Sequence, residues 1–362
     1  MKKIVFIINS AQNQRCIKRV NEFVEQGYRV SAYAFSREVE MRNTPNFELN
    51  LIGHYKNDVP YYKRVLMIMR AVRRILNQYK KQDVVYYLFG LDIAMAFLLQ
   101  SKRPYIFEES DLAHTYIHSK AVRNTFEWID KYIIRHSLLT VFTSEGFAQY
   151  HFGDSKLENT FIIPNRLTPE ITKLPWVEKR SSGKSALNIG FVGGLRFESI
   201  ARFAYFFVKN FPMYQFHFFG SIDLTQKQRF APLETYSNCH FHGAFKNPDD
   251  LAEIYSQIDL VLSTYDVKYD NVKYAEPNKL YEAVYFETPI IVSKGTFLAD
   301  KTLKLGIGYE VDPLNENAVV EFVNGLTPES LENCRQHARA LGKEWALNIN
   351  TAFFEKLSLM IK

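Results

Sequence analysis

The stretch Tyr274-Ala-Glu-Pro-Asn-Lys-Leu-Tyr-Glu-Ala-Val-Tyr-Phe-Glu-Thr-Pro-Ile-Ile-Val-Ser293 reads as a loop, a short helix, a tight turn and a buried strand. Pro277 suits the first helical position, and Leu280, Ala283 and Val284 make one apolar stripe. Thr288-Pro289 stops the helix, and the β-branched run Ile290-Ile291-Val292 suits a strand of a parallel sheet. Asn278 and Glu282, four apart, share a face away from that stripe. Free N–H groups at such a helix start attract phosphate, and a carboxylate one turn in can accept from a sugar diol. An ordinary solvated helix start has the same local pattern.

Working outward, the same strand–helix alternation fills the chain. In the first half, strands are expected at 3–9, 29–35, 47–53, 83–89, 104–109, 138–143 and 160–164, with helices at 14–26, 61–81, 92–100 and 121–136. In the second, strands are expected at 187–192, 215–219, 239–245, 259–264, 289–293 and 309–311. Helices fall at 199–210, 251–257, near 315–325 and near 329–342, and a long amphipathic pattern closes the chain at 345–361. Strands separated by helices form βαβ units, so the fold class is α/β, with parallel sheets covered on both faces.

The chain has 362 residues, and one core rarely grows past ~250–300 residues, so two doubly wound, Rossmann-like domains are expected. Between Arg166 and Ala186 the alternation dissolves into Pro169, Pro175 and Ser181-Ser-Gly-Lys-Ser185. The expected organisation is therefore a first domain over 1–165, a linker over 166–186, a second domain over 187–344 and a terminal helix over 345–362. Ligands of such sheets lie outside the carboxyl ends of the strands, so a cleft between the two halves is the expected binding place. Gly183-Lys-Ser185 is not a phosphate-binding loop: the glycine five positions earlier is missing, and a strand follows it where a helix should.

Composition excludes several classes. Hydrophobic content of 47% and charged content of 23% are those of a globular protein. The apolar run 4–8 is too short for a signal sequence, and no stretch reaches the ~18 residues of a membrane span. Cys16, Cys239 and Cys334 are far apart and lack metal-ligand spacing, which suits a reducing, cytoplasmic setting. Residues 1–165 carry 23 Lys+Arg against 16 Asp+Glu, a net +7, and the remainder is net −1 within the total of +6. The excess is concentrated in Lys63, Arg64, Arg70, Arg73, Arg74, Lys80 and Lys81. A basic amphipathic helix over 61–81 suits a peripheral contact with anionic lipid, or equally a sheet-covering helix with a solvated basic face. No nucleic-acid-binding motif accompanies the charge.

The strand ends carry the chemistry. Asn188-Ile-Gly-Phe-Val-Gly-Gly-Leu-Arg196 is a strand running into paired glycines, then Arg196 and a helix. Glycine lets the backbone approach a ligand closely, and arginine is a fork for phosphate oxygens. The dinucleotide fingerprint is absent, which argues against a nicotinamide enzyme. In the first half, Asn9, Ser10 and Asn13 follow the first strand as candidate acceptor contacts, although Asn13 equally suits a helix cap. Asp111 and His114 follow another strand end, where a carboxylate can orient an acceptor hydroxyl and an imidazole can donate to a transferred sugar. A structural histidine on the surface has the same sequence signature. No D-x-D pair occurs, and no His/Asp/Glu run has metal spacing, so no metal is expected.

Phe191-Val-Gly-Gly-Leu-Arg196, Phe241-His-Gly-Ala-Phe245, Ile258-Asp-Leu-Val-Leu-Ser-Thr264, and Pro277-Asn-Lys-Leu-Tyr-Glu282 with Thr288-Pro-Ile-Ile-Val292 occur in that order. Together they resemble the donor-binding half of a GT-B-fold glycosyltransferase of the large retaining family 4, most of all the bacterial enzymes of capsule, O-antigen or exopolysaccharide synthesis. Ile106-Phe-Glu-Glu-Ser-Asp-Leu112 is similar to an acidic strand-end motif of that family's first half. The resemblance implies a hexosyltransferase-type activity that moves a sugar from a nucleotide-sugar donor, a UDP-sugar first and a GDP-sugar second, to a growing, lipid-linked glycan. The nucleotide-sugar is a substrate, so no cofactor is implied. The implied setting is the cytoplasm, at the inner face of the membrane.

By the same resemblance Glu282 holds the ribose. Arg196, Lys279 and the amides of Gly193 and Gly194 hold the pyrophosphate, as the catalytic cations of a metal-independent transfer. Gly243, Ala244 and Phe245 lie by the base, and Asn278 and Leu280 belong to the same donor motif. The family's first glutamate is missing: its slot is Tyr274, and the nearest carboxylate is Glu276, the candidate donor-sugar contact. A sugar-nucleotide epimerase of the same architecture, or a non-catalytic sugar- or lipid-binding scaffold, are the alternatives.

Overall fold

The computed structural model describes residues 2–36, 46–54, 61–177, 187–222 and 224–361; the Gly183-Lys-Ser185 segment and the rest of 178–186 lie outside them. The chain divides into two compact units, Met1–Pro164 with Asn350–Lys362, and Asn165–Ile349.

The first unit runs β1 (Lys3–Ile8), α1 (Gln14–Glu25), β2 (Arg29–Ser36), β3 (Leu49–His54), α2 (Tyr61–Gln78), β4 (Val84–Phe89), α3 (Leu91–Leu98), β5 (Tyr105–Glu109), α4 (Lys120–His136), β6 (Leu139–Phe142), α5 (Glu145–Phe152) and β7 (Thr160–Ile162). All its strands pair in parallel, in the order β3-β2-β1-β4-β5-β6-β7. Every residue of β4, Val-Val-Tyr-Tyr-Leu-Phe, is buried, as a strand covered on both faces requires. Asn13 caps α1, its Oδ1 accepting from the Arg15 amide at 3.2 Å, and Ser144 caps α5. On α2, Ile68, Val72 and Ile75 are buried while Lys63, Arg70, Arg73 and Arg74 are exposed, the arrangement of a covering helix with a basic outer face.

The second unit runs β8 (Asn188–Val192), α6 (Glu198–Asn210), β9 (Gln215–Phe219), α7 (Lys227–Phe230), β10 (Cys239–Gly243), α8 (Leu251–Ser256), β11 (Leu260–Ser263), α9 (Asp270–Tyr274), α10 (Asn278–Tyr285), β12 (Ile290–Ser293), α11 (Phe297–Leu305), β13 (Gly308–Val311), α12 (Glu316–Asn324) and α13 (Pro328–Leu341). Its sheet is again all parallel, ordered β10-β9-β8-β11-β12-β13. Alternate residues of one strand enter different cores, because successive side chains point to opposite faces. Ile290 and Val292 join one cluster with Leu280, Val284 and Leu298, while Ile291 joins another with Phe203, Phe207 and Val319.

The structure differs from the expected elements in informative places. The terminal pattern is not one helix from 345. A 3-10 turn at Lys343–Ala346 ends in extended Leu347, which bridges Leu167, and only then does α14 (Thr351–Met360) begin. Leu167, Ile171, Ala346 and Leu347 belong to the second unit's core. Phe353, Phe354 and Leu357 of α14 belong to the first unit's core, with Phe6, Phe23 and Tyr87. Among the described residues, no helix is long and apolar enough to cross a membrane.

Candidate functional site

Each sheet reverses its strand order once, at β1/β4 and at β8/β11, and ligands of doubly wound sheets gather at such switch points, beyond the carboxyl ends. In the second unit the carboxyl ends of β8, β9 and β10 meet as three glycines with positive φ: Gly193 (138°), Gly220 (145°) and Gly243 (78°). The Gly193 amide donates to the Phe219 carbonyl at 2.8 Å and the Gly220 amide to the Gly243 carbonyl at 2.7 Å. A Cβ on Gly220 would stand 1.9 Å from the Gly193 carbonyl oxygen, so glycine is required there. Gly194 is exposed, with nothing within 4 Å of where its Cβ would be, and Gly243 and Ala244 are exposed as well.

α10 delivers its side chains into this corner. Pro277 occupies the N-cap instead of the first turn, with Asn278 as the first helical residue. The whole helix from Lys279 to Tyr285 is buried, so it is not the ordinary solvated helix start that the local pattern equally allowed. Leu280 is fully inside the apolar cluster and packs as core. Lys279 is the buried cation at the site. Its Nζ lies 4.4 Å from the centre of the Phe191 ring and 5.8 Å from that of Tyr265, and 3.1 Å from the position of a Cβ on Gly193. Tyr265 is pinned by its backbone, its amide donating to the Ser293 hydroxyl at 2.8 Å and its carbonyl accepting from it at 2.9 Å. Phe197 meets Tyr265 edge-on at 5.0 Å, and the exposed Arg196 guanidinium lies 4.9 Å over Phe197. An aromatic row thus carries one buried and one exposed cation.

Glu282 is 3% exposed and accepts from the Tyr255 hydroxyl at 2.8 Å. Burial raises its pKa, while the Lys279 charge and the Tyr255 hydrogen bond work in the opposite direction. Glu276, the candidate sugar contact, is buried too. One oxygen accepts from Tyr281 at 2.5 Å and from Lys301 Nζ at 2.9 Å, so this carboxylate is committed to a local network. Asn278 is exposed at its surface, its Oδ1 accepting from the Asn165 amide.

Three contributors escape a reading of the sequence. Tyr265 and Tyr255 look like ordinary strand and helix aromatics until the fold turns them on Lys279 and Glu282. Asp266 is the third: α6 has no side-chain cap of its own, and Asp266 accepts from the amides of Ser199 at 2.9 Å and Glu198 at 3.3 Å. A carboxylate from the β11 side therefore already satisfies the N–H groups that a phosphate would seek at that helix start.

In the first unit, Ser10 is buried and its hydroxyl donates to Gln12 Oε1 at 3.0 Å; Asn9 is half-buried. Asn13 is a helix cap, the alternative its position allowed. Asp111 is exposed, but His114 is not a surface histidine. It is 0% exposed, with Nδ1 3.1 Å from Asp130 Oδ2 and Nε2 3.4 Å from the Tyr150 hydroxyl. Next to it, His151 Nε2 stands 3.0 and 3.1 Å from the two oxygens of Glu109. Burial pushes Glu109 up to about 8 and Asp130, with Glu109 beside it, up to about 7, and pushes His151 down to about 4. Glu108, the neighbouring strand-end carboxylate, is occupied internally by Arg19 at 2.9 Å and by the Tyr87 hydroxyl.

A scan against protein-family models finds no match, and a sequence search of curated proteins finds none. Solved structures do match. Sucrose-phosphate synthase from Thermosynechococcus elongatus superposes with a TM-score of 0.70 at 16% identity over 100% of both chains. HepE from Anabaena, in complex with UDP and glucose, superposes at 0.69 with 14% identity over 99% of this chain and 100% of that one. The UDP-GlcNAc 2-epimerase from Neisseria meningitidis, bound to UDP-GlcNAc, superposes at 0.61 with 13% identity over 95% and 99%. The fold is therefore GT-B, two parallel-sheet Rossmann-like units, as in glycosyltransferases and in an epimerase of nucleotide sugars.

Proposed function

We propose that the protein is a glycosyltransferase whose second unit binds a nucleotide-sugar donor, a UDP-sugar first. The observation that carries this is the Lys279 ammonium, buried against Gly193 at the switch point of the second sheet, with Glu282 one turn further along the same helix. The Gly193 amide is held by the Phe219 carbonyl, so a diphosphate is drawn to the exposed Gly194 instead, where it meets Lys279 directly and Arg196 from the open side, and Glu282 accepts from the ribose. Fixed cations then stabilise the leaving diphosphate without a bridging metal. In the finer reading the enzyme is a retaining transferase of the family 4 type, extending a lipid-linked glycan of a bacterial surface polysaccharide. Asp111 and the β1 end (Asn9, Ser10) supply its acceptor contacts.

An epimerase is the second reading, because the chain shares its fold with one. Product analysis separates the two: a transferase forms a new glycosidic bond only when acceptor is present, and an epimerase converts UDP-sugar alone. Conversion without acceptor overturns the transferase reading.

The basic outer face of α2 is proposed to rest on anionic lipid at the cytoplasmic face of the membrane. Co-sedimentation with phosphatidylserine vesicles should be strong at low salt and lost with Arg70, Arg73 and Arg74 changed to Gln. Sedimentation unaltered by salt or by the triple change contradicts the contact.

A further inference from the structure

We infer that the first unit holds a first-row divalent cation, zinc above all, at a site made by Glu109, His114 and Asp130 with His151 beside it. The four side chains come from the end of β5, the 3-10 turn Ala113–Tyr116, α4 and α5, and they are 2%, 0%, 1% and 5% exposed. One ligand atom each of Glu109, His114 and Asp130 lies within 4.8 Å of the other two. That is loose for a bound ion but within reach of small side-chain rotations, given ligand distances of about 2.0–2.2 Å.

The charge balance points the same way. Two carboxylates side by side in a dry interior need compensation. Among the described residues neither is paired with a lysine or arginine; their partners are the two imidazoles and each other. A divalent cation bound here would displace the protons of both carboxyl groups and cancel the two charges so formed. Two buried atoms of the group lack any partner, Asp130 Oδ1 and His151 Nδ1. Such orphans are rare in a finished hydrogen-bond network and are expected where a ligand supplies the missing contact. Mixed imidazole and carboxylate donors suit zinc, cobalt or manganese better than calcium or magnesium. His114 is also arranged as a ligand: with Nδ1 on the cation, its Nε2–H faces the Tyr150 hydroxyl, the outer contact that fixes a ligating ring.

The site belongs to the first unit, whereas the cations assigned to the pyrophosphate belong to the second. The ion's part is structural: it ties the loop after β5 to α4 and α5.

The test is a metal titration of the full chain without a histidine tag. After treatment with chelator, zinc and cobalt(II) are added at pH 7.5, with bound metal counted by mass spectrometry and the cobalt visible spectrum recorded. One equivalent is expected, with protons released, a tetrahedral or five-coordinate cobalt spectrum, and a melting temperature raised by zinc. Asp130→Asn and His114→Gln should each weaken binding at least tenfold. The half-buried His217 and exposed His242, with Nδ1 and Nε2 3.1 Å apart, are a second place where a metal can adhere, so the titration is repeated with His217→Asn. Stoichiometric binding that survives this change but not Asp130→Asn supports the site. Failure of the wild-type chain to bind zinc or cobalt, leaving protons to balance the carboxylates, overturns it, as does binding abolished by His217→Asn.

Discussion

Changing Lys279 to alanine should lower kcat/KM for the nucleotide-sugar by about 10²–10³-fold, a loss of ~2.7–4 kcal/mol of transition-state stabilisation. The reason is geometric. The ammonium is held between Phe191 and Tyr265 and against Gly193, so it meets a diphosphate without reorganising at the moment of transfer. Arg196 is exposed and lies over Phe197, so Arg196→Ala should cost less, about tenfold in the same assay. Lys279→Met separates charge from packing, since it keeps the apolar stem beside the rings; it should fold like the wild type and be as inactive as the alanine variant. Lys279→Arg should not restore full activity, because a planar guanidinium does not place its charge where the compact ammonium stands. Activity within threefold of wild type in Lys279→Met would remove lysine from the mechanism.

The second large effect concerns stability. Arg19 is 4% exposed, donates to Glu108 at 2.9 Å and pairs with Glu22, while Glu108 is 0% exposed. Arg19→Ala strands the fully buried Glu108, which among the described residues then keeps the Tyr87 hydroxyl as its hydrogen-bond donor. Removing one partner of a buried pair costs about 3–5 kcal/mol. Chemical denaturation followed by a probe in the first unit should show that loss. The double change Arg19→Met with Glu108→Gln should recover most of it, because no buried charge is then left alone. A single change costing under 1 kcal/mol would mean that water reaches Glu108 after all.

Much of this was legible in the residues. The two parallel sheets follow from apolar runs of strand length separated by amphipathic ones, and the order Gly193, Arg196, Gly243, Glu282 carries the resemblance to nucleotide-sugar enzymes. What was hidden has a common physical form: partners remote in sequence. Asp266 caps a helix that starts 68 residues earlier. Lys301 neutralises Glu276 across 25 residues, so the carboxylate nearest the family's missing glutamate is already engaged. His114, Asp130 and His151 are scattered over a loop and two helices, and spacing rules for metal ligands cannot find a cluster assembled by tertiary contacts. The short helices α5 and α11 were missed because eight or nine residues carry too little periodicity, although Ser144 and Thr296 cap them. The burial of Glu282 is not legible either: its helix shows one apolar stripe in the sequence, and only the fold covers the other side as well.

Donor binding tests the central claim most directly. The melting temperature of the full chain is measured with UDP, GDP and their common sugar conjugates, for wild type and for Lys279→Met. A nucleotide diphosphate at a hundredfold excess over its Kd should stabilise the wild type by ~2.7 kcal/mol and leave Lys279→Met nearly unmoved. Equal stabilisation of both proteins, or no response of the wild type to any nucleotide, would contradict a donor site at Gly193 and Lys279.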